Sequence, residues 1–551
     1  SWIANFGLGV PGVLGLFSLD CGANIFDGIA AHNGSKSFER GSMSSRSPAS
    51  AFSVDNCSVP QSRARVLLAV CLGALGMPLC FTGPAVALPA LSAGLGGSPS
   101  LLNWVTNAFM LSFGATLMLQ GALADAYGRK RVFLWGLVTV IVSSSLLACL
   151  HGMGSMPVFV GLRAVQGLGS AAVLAGGTSA LAQLYDGPQR ARVFSLVGTS
   201  FGVGLAFGPL MAGWLLAWTG WHGVVLCVVP VALVSLVLAV RSVQESRNPH
   251  ASGLDVPGVV AFTLALGMFT WAVLASPEAG WARWQMWVAL LSGVAFVWIE
   301  RRSKAPMLDL SLFRYPRFVG VQLLAAAPAY GFVVLLILLP VRFIGIEGMS
   351  PIQAGELMFA LSLPMLFVPM LAGWLVRWVS AALLCSLGLL MSAAGLTWLA
   401  QCAPGADMVA MAAPLFLIGL GMGLPWGLMD GLAISVVPVE QAGMATGIFS
   451  TVRVAGEGIA LALVSAGFAG LLSRGVERSF HAASLPVNEI SQQLVTGNLQ
   501  RALAHLPGVS PAAVLTVYGE AFSTLLQALA GITLLTAFVI YAFLRHPEHK
   551  A

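Results

Sequence analysis

Charge is what this chain has least of. Asp, Glu, Lys and Arg together make up 9% of its 551 residues, while 57% are hydrophobic. A soluble domain carries about 25% charged residues and has no use for so much apolar surface. The scarcity excludes an ordinary water-soluble fold and points to the lipid bilayer as solvent. Clustering is lacking too. The net charge is +6, but the basic residues are spread over many short segments and form no stripe, which excludes nucleic acid as a partner. The eight cysteines are scattered, mostly within apolar segments, and no CxxC or Cys/His spacing is present. They read as buried structural thiols, so no metal and no disulfide framework is expected. The absence of a Walker sequence argues against ATP-driven work. No Ser/His/Asp grouping suggests a hydrolase. The chain is therefore expected to need no cofactor and to be no enzyme.

Basic residues are also missing from the N-terminal apolar stretch Trp2 to Leu19, which so lacks the n-region of a signal peptide. Residues 33 to 62 are polar and rich in Ser, and the whole of 1–62 is expected to be disordered. Met43 is the expected natural start, with residues 1–42 an extension outside the working protein. An extra membrane anchor is the alternative.

What the sequence does have is long apolar runs. At about 20 residues per crossing, fourteen transmembrane helices are predicted. They run roughly over 66–91, 101–123, 132–150, 157–184, 193–218, 223–240, 256–274, 284–299, 319–344, 352–376, 381–399, 408–437, 442–472 and 522–544. Arg129, Lys130, Arg131, Arg190, Arg192, Arg241, Arg247, Arg301, Arg302, Lys304, Arg314, Arg317, Arg377, Arg545 and Lys550 all fall in alternate loops or at the C-terminus. That bias predicts a multi-pass protein of the cytoplasmic (inner) membrane with both termini in the cytoplasm. Residues 473–519 form the one long outside loop, with short amphipathic stretches too polar to span.

The chain also repeats itself. A shift of 252 residues lays Gly121 on Gly373, Leu123 on Leu375 and Gly167-Leu168-Gly169 on Gly419-Leu420-Gly421. With small slips, Pro89 meets Pro340 and Phe194-Ser195 meets Phe449-Ser450. The repeat predicts an N-terminal six-helix bundle (63–248), two inserted helices with a linker (249–316) and a C-terminal six-helix bundle (317–551). Parallel repeats with a site between them suit alternating access.

The most specific motif is Gly121-Ala-Leu-Ala-Asp125-Ala-Tyr-Gly128-Arg129-Lys130-Arg131, a short polar break between two apolar helices. Asp125 sits just inside a helix end, where a charge needs a basic side chain or a helix N-terminus as partner. The motif resembles the loop between the second and third helices of the major facilitator superfamily, where it acts as a latch on the cytoplasmic side. Arg163-Ala-Val-Gln166-Gly167 in the fourth helix looks like that superfamily's intramembrane arginine motif. An arginine at this depth is functional or tightly paired, a snorkelling side chain being the alternative. Gly204, Gly208, Pro209 and Gly213 in the fifth helix look like its antiporter motif, in which glycines allow close helix contact and Pro removes a backbone donor. Trp221-His222 and Val229-Pro230 resemble the start of the sixth helix in the fourteen-helix drug:proton antiporters. The resemblance covers residues 65 to 545 and implies an all-α major facilitator fold and multidrug efflux in exchange for protons.

One position departs from that family. Its first helix usually carries an Asp nine residues before the Pro of Ala87-Leu88-Pro89, and here Cys80 stands there. The coupling acid must lie elsewhere. Glu457, in Arg453-Val-Ala-Gly-Glu457, is the first candidate, and Arg453, four residues away, shares its helix face and can pair with it. Asp430 is the second, nearer the inner end of the twelfth helix. Glu356 is a weaker third, nearer an outer surface. Candidate residues for proton and substrate coupling are therefore Arg163, Gln166, Asp430, Arg453 and Glu457. The reading is an exporter of amphipathic or drug-like molecules coupled to protons. A dedicated exporter of one metabolite, siderophore or antibiotic is the nearest alternative, and a membrane-embedded enzyme or sensor is the alternative of another class. The expected partners are a small-molecule substrate, protons and lipid. The sequence leaves a periplasmic adaptor open.

Overall fold

A computed structural model of the chain describes residues 63–152, 154–185, 187–247, 255–279, 284–303, 308, 310–436, 442–480 and 486–545. The expectations for residues 1–62 lie outside these. Among the described residues there are helices and no strands. The helices are α1 (Arg63–Val86), α2 (Leu88–Leu95), α3 (Pro99–Tyr127), α4 (Arg129–Ala148), α5 (Met156–Leu184), α6 (Gly187–Leu226), α7 (Val228–Ser242), α8 (Val256–Ala279) and α9 (Trp284–Arg302). They continue with α10 (Pro316–Pro328), α11 (Val334–Pro340), α12 (Pro351–Ser362), α13 (Val368–Leu375), α14 (Ala381–Leu399), α15 (Met408–Ser435), α16 (Ala442–Phe480), α17 (Val487–Val495), α18 (Leu499–Ala504) and α19 (Pro511–Leu544).

Twelve stretches among the described residues are long and apolar enough to cross a membrane. One of them, Leu196–Ser242, has 47 residues. At 1.5 Å per residue it would run about 70 Å, more than twice a bilayer core. Gly220, at φ 69°, breaks it into two passes. α9 is long enough but ends in Glu300, Arg301 and Arg302, which dilute its apolar character. With both passes of the broken stretch and α9 included, fourteen crossings fit.

Proline shapes the ninth and tenth crossings. Each of Pro328 and Pro340 is followed by a π-helical turn, Ala329–Val333 and Val341–Ile346. Pro364 and Pro369 divide the next crossing into α12 and α13. Proline removes an intrahelical donor, and the widened or broken turn absorbs the loss. Helices α3, α12 and α19 begin with Ser-Pro: Ser98, Ser350 and Ser510 each accept a backbone N–H, and Pro occupies the first helical position.

The repeat has a packing counterpart. On α5, Gly167 receives the backbone of Phe109 on α3, and Gly169 receives Gly136 and Thr139 on α4. On α15, Gly419 receives Leu361 on α12, and Gly421 receives Gly388 and Ser392 on α14. The two glycine pairs thus seat equivalent neighbours in the two halves, where any side chain would meet backbone. Two seams join the halves, α3 against α16 and α6 against α12, and the α8–α9 hairpin packs on α3 and α16.

The described residues of the long segment 473–519 are largely helical. α16 and α19, with 39 and 34 residues, each exceed about 50 Å and outlast a 30 Å bilayer core. Between them α17 buries Ile490, Leu494 and Val495 against the end of α16. Asn498 accepts a long hydrogen bond from Ser92 of α2 (3.4 Å), and Gly497 lies against Gly345.

Candidate functional site

The polar break after α3 is a knot of charges. Arg129, at the start of α4, holds Asp125 in the last turn of α3 through Nε and Nη2, at 3.1 and 2.9 Å. Its Nη1 donates to Gln183 at the end of α5 (3.0 Å). Lys130 donates Nζ to the Val240 carbonyl (2.9 Å), and its backbone N–H goes to Glu245 (3.2 Å). Arg131 lies 3.5 Å from the same carboxylate. Gly128 has φ 123°, and Glu245 fills the space a Cβ would need. A side chain there would be both strained and blocked. The expected basic partner of Asp125 is thus Arg129. Gly121 has open space around it. Glu245 and Gln183 were not singled out from the sequence. The signal for Glu245 was its place in the next basic loop, since a lone acid among like-placed cations has a natural partner.

Arg163 is fully buried in α5. Its Nε donates to the Val105 carbonyl (2.9 Å), its Nη1 to Gln166, and its guanidinium lies 4.6 Å from the centre of the Phe109 ring. Gln166 passes the chain on by donating to Ser144 of α4 (2.7 Å). Arg163 is therefore not a snorkelling side chain. Three helices are tied at one point by one guanidinium whose partners are all neutral.

The glycines of α6 serve both halves. Gly204 and Gly208 receive Leu75, Pro78 and Thr82 of α1. Gly213 receives Pro351 of α12, and Gly355 of α12 receives Pro209 and Leu210 in return. Phe207 and Phe359 meet across the same seam, centres 5.3 Å apart. Trp221, beyond the Gly220 bend, packs edge-on to Phe159 of α5.

In the second half the charges pair differently from the expectation. Arg453 reaches Asp430 on α15 at 3.4 Å and makes no ion pair with Glu457. Its guanidinium also lies 5.9 Å from the Trp426 ring and 5.6 Å from that of Phe449. Trp426 in turn stacks on Phe201 of α6 (6.3 Å) and meets Phe332 edge-on. The pair therefore sits in an aromatic cluster that crosses from one half to the other. Asp430 is exposed, at 58% of its side chain, rather than deep. Glu356 is exposed as well. Glu457 is 4% exposed and, among the described residues, has no hydrogen-bond or ion-pair partner. It lies where α16 packs on α3, between Ala455 against Gly114 and Gly458 against Met110. Helical spacing suggested the Arg453–Glu457 pair. Tertiary packing brought a second helix closer.

A second ion pair escaped the sequence reading. Arg342 and Glu347, each 2% exposed, meet at 2.6 Å, with Arg342 also against Phe522 and the Cys402 carbonyl. An Arg and a Glu five residues apart in an apolar stretch were the available signal.

This helical arrangement, with its charged break after α3 and its buried arginine, has a counterpart in sequence. The Major Facilitator Superfamily model matches residues 70–461. The chain belongs to the Major Facilitator Superfamily. It is 30% identical to "Multidrug resistance protein Stp" of Mycobacterium tuberculosis over 437 residues, 77% of this chain and 80% of that protein. It is 30% identical to the "Probable actinorhodin transporter" of Streptomyces coelicolor over 75% of this chain and 74% of that protein. It is 31% identical to "Cephamycin export protein CmcT" of Amycolatopsis lactamdurans over 69% of this chain and 79% of that protein. A solved bacterial homolog of the human lysosomal transporter Spinster superposes with a TM-score of 0.59 at 17% identity, over 89% of this chain and 98% of that one, which bears on the fold alone. As a superfamily member the chain is a multi-pass membrane transporter of small molecules and not an enzyme.

Proposed function

We propose that the chain is a proton-coupled secondary transporter that exports amphipathic or drug-like molecules across the cytoplasmic membrane by alternating access. The names of its 30% identical relatives support efflux of drugs or antibiotics. The loops rich in Arg and Lys then face the cytoplasm, together with both termini. Residues 63–248 and 317–551 act as the two bodies that rock about the α3–α16 and α6–α12 seams, with 249–316 inserted between them. The knot at Gly121, Asp125, Gly128, Arg129, Lys130 and Arg131 acts as the latch on the cytoplasmic side.

The observation that carries proton coupling is Glu457, a buried carboxyl without a partner among the described residues, in a seam between the halves. Burial disfavours a carboxylate and water restores it. A carboxyl in a seam that alternates between dry and wet gains and loses a proton with each cycle. Arg453, one turn away and tied to Asp430, is placed to answer that change. Glu457→Gln is expected to abolish pH-driven transport while substrate still binds. The measurement is substrate-induced proton release from detergent-solubilised protein across about pH 6 to 8. Unchanged release in Glu457→Gln would move the role to Asp430. Unchanged release in the double variant would overturn proton coupling. A transport panel in an efflux-deficient host separates a broad exporter from one dedicated to a single metabolite.

A further inference from the structure

Among the described residues the interior of the first six crossings holds one fixed charge. Between residues 63 and 247 the acids are Asp125, Asp186 and Glu245; of the two that are described, Asp125 lies in the last turn of α3 and Glu245 just beyond α7, on the face that carries the basic loops. Every Lys and Arg of this half but one stands at that same face. The exception is Arg163, seven residues into α5 from the opposite end.

A guanidinium offers five N–H donors. Those of Arg163 reach the Val105 carbonyl and the Gln166 amide oxygen, and the Phe109 ring covers one side. Its Nη2 is sealed from solvent and has no hydrogen-bond partner among the described residues. None of these partners carries charge. The ionisable side chain electrostatically coupled to it is Cys80 of α1, a thiol, which supplies no negative charge at neutral pH. In the second half Arg453 is answered by Asp430 and Arg342 by Glu347. Glu457 makes no ion pair with Arg163. Among the described residues the protein thus answers the buried Arg342 and the half-buried Arg453 with carboxylates and leaves the buried Arg163 with none.

Holding a cation in the membrane without a counter-ion is costly, and a counter-ion removes much of that cost. We propose that the transported molecule supplies it: the substrate is an amphipathic organic anion whose acidic group binds the Nη2 edge of Arg163. This rests on the exporter reading above. Phe81 and Phe109, centres 6.4 Å apart, give the apolar part of such a molecule an aromatic wall beside the guanidinium. A small cavity among α1, α4, α5 and α7 has in its wall Cys80, the thiol coupled to Arg163, together with Met77, Ser170 and Val173. The site is closed in this conformation, as a binding site must be between loading at one face and release at the other. Arginine suits the task because its planar fork binds carboxylate in two parallel hydrogen bonds.

The test uses three probes with one ring system: anthracene bearing a carboxylate, a carboxamide or an aminomethyl group. Binding to the detergent-solubilised full chain is read by quenching of its tryptophans. The carboxylate is expected to bind about tenfold more tightly than the amine or more. Cys80→Asp places a carboxylate within electrostatic reach of Arg163 and should erase that preference or reverse it. Cys80→Asn, of the same shape without the charge, should keep it. Arg163→Lys should keep the preference with weaker binding, and Arg163→Gln, where it folds, should lose it. Equal binding of amine and carboxylate, failure of the carboxylate to bind, or a preference untouched by Cys80→Asp would each overturn the proposal. Flux in proteoliposomes is scored separately. Carboxylate binding without pH-driven flux would sink the exporter reading and leave the anion site standing.

Discussion

The two ion pairs Arg129–Asp125 and Arg342–Glu347 use the same chemistry and should behave differently when broken. The first is partly exposed, at 18% and 40% of its side chains. Pairs of that kind contribute below about 1 kcal/mol to stability. Asp125→Asn should therefore leave the amount of folded protein nearly unchanged and slow transport, because it loosens the knot without altering its shape. The second pair is 2% exposed on both sides. Removing one partner leaves a bare charge in the interior, at a cost of about 3–5 kcal/mol. Glu347→Ala should lower the melting temperature in detergent well below that of Asp125→Asn. Equal melting of the two variants would refute the contrast, and full transport by Asp125→Asn would refute the latch. Asp430 adds a case between them. Exposed and joined to Arg453 by one long contact, it meets a substrate entering from the basic face early. Asp430→Asn should alter which substrates are accepted, with a several-fold change in KM and a smaller one in kcat across an efflux panel.

Among the elements, α6 is one whose glycines meet helices of both halves. Two of its glycines are filled by α1 and a third by α12, so it is pressed between its own half and the other. Gly204 and Gly208 pack within one bundle, while Gly213 lies in the α6–α12 seam, which opens and closes in the proposed cycle. Gly213→Val would drive a side chain into the Pro351 backbone, where nothing flexible can yield. The expected result is normal insertion with transport lost, because the α6–α12 seam cannot close. Cysteine cross-linking between Phe207→Cys and Phe359→Cys would report it, those rings being in contact in the closed seam. Undiminished cross-linking in the Gly213→Val background would show that the seam tolerates the wedge. α17 shows a different relation between sequence and element. Its polar residues Ser491, Gln492 and Gln493 are buried together with Ile490 and Leu494, so the amphipathic pattern was readable but not the depth at which it packs.

For the molecule as a whole the orientation is the first thing to measure. A reporter fused within 473–519 should read as outside, and one placed after Arg545 as inside. Both on one side would remove the fourteen-helix count. Removing residues 1–42 should leave transport intact, and lost activity would refute the expectation that they lie outside the working protein. The closed α3–α16 and α6–α12 seams place Glu457, the Arg453–Asp430 pair and the Phe201–Trp426 stack along the junction of the halves.

By itself the sequence determined the all-helical membrane fold, the repeated glycines and the place of the charged break at Gly121–Arg131. These depend on local properties: the length of an apolar run, the spacing of glycines, and the clustering of basic residues at a polar break. The pair of glycines at 167 and 169 was legible as a repeat because close backbone contact admits no other residue. Partners were not legible. Arg453 shares a helix face with Glu457, yet its ion pair goes to Asp430, 23 residues away on another helix. Asp125 had a partner nearby in sequence, but Glu245, which ties Lys130 and Arg131, lies 115 residues beyond Lys130. Tertiary structure also decided which acid is bare and which is exposed. In a chain with so few charges, the partner that a charge finds or lacks is set by the packing of segments whose order in sequence says nothing of their distance in space.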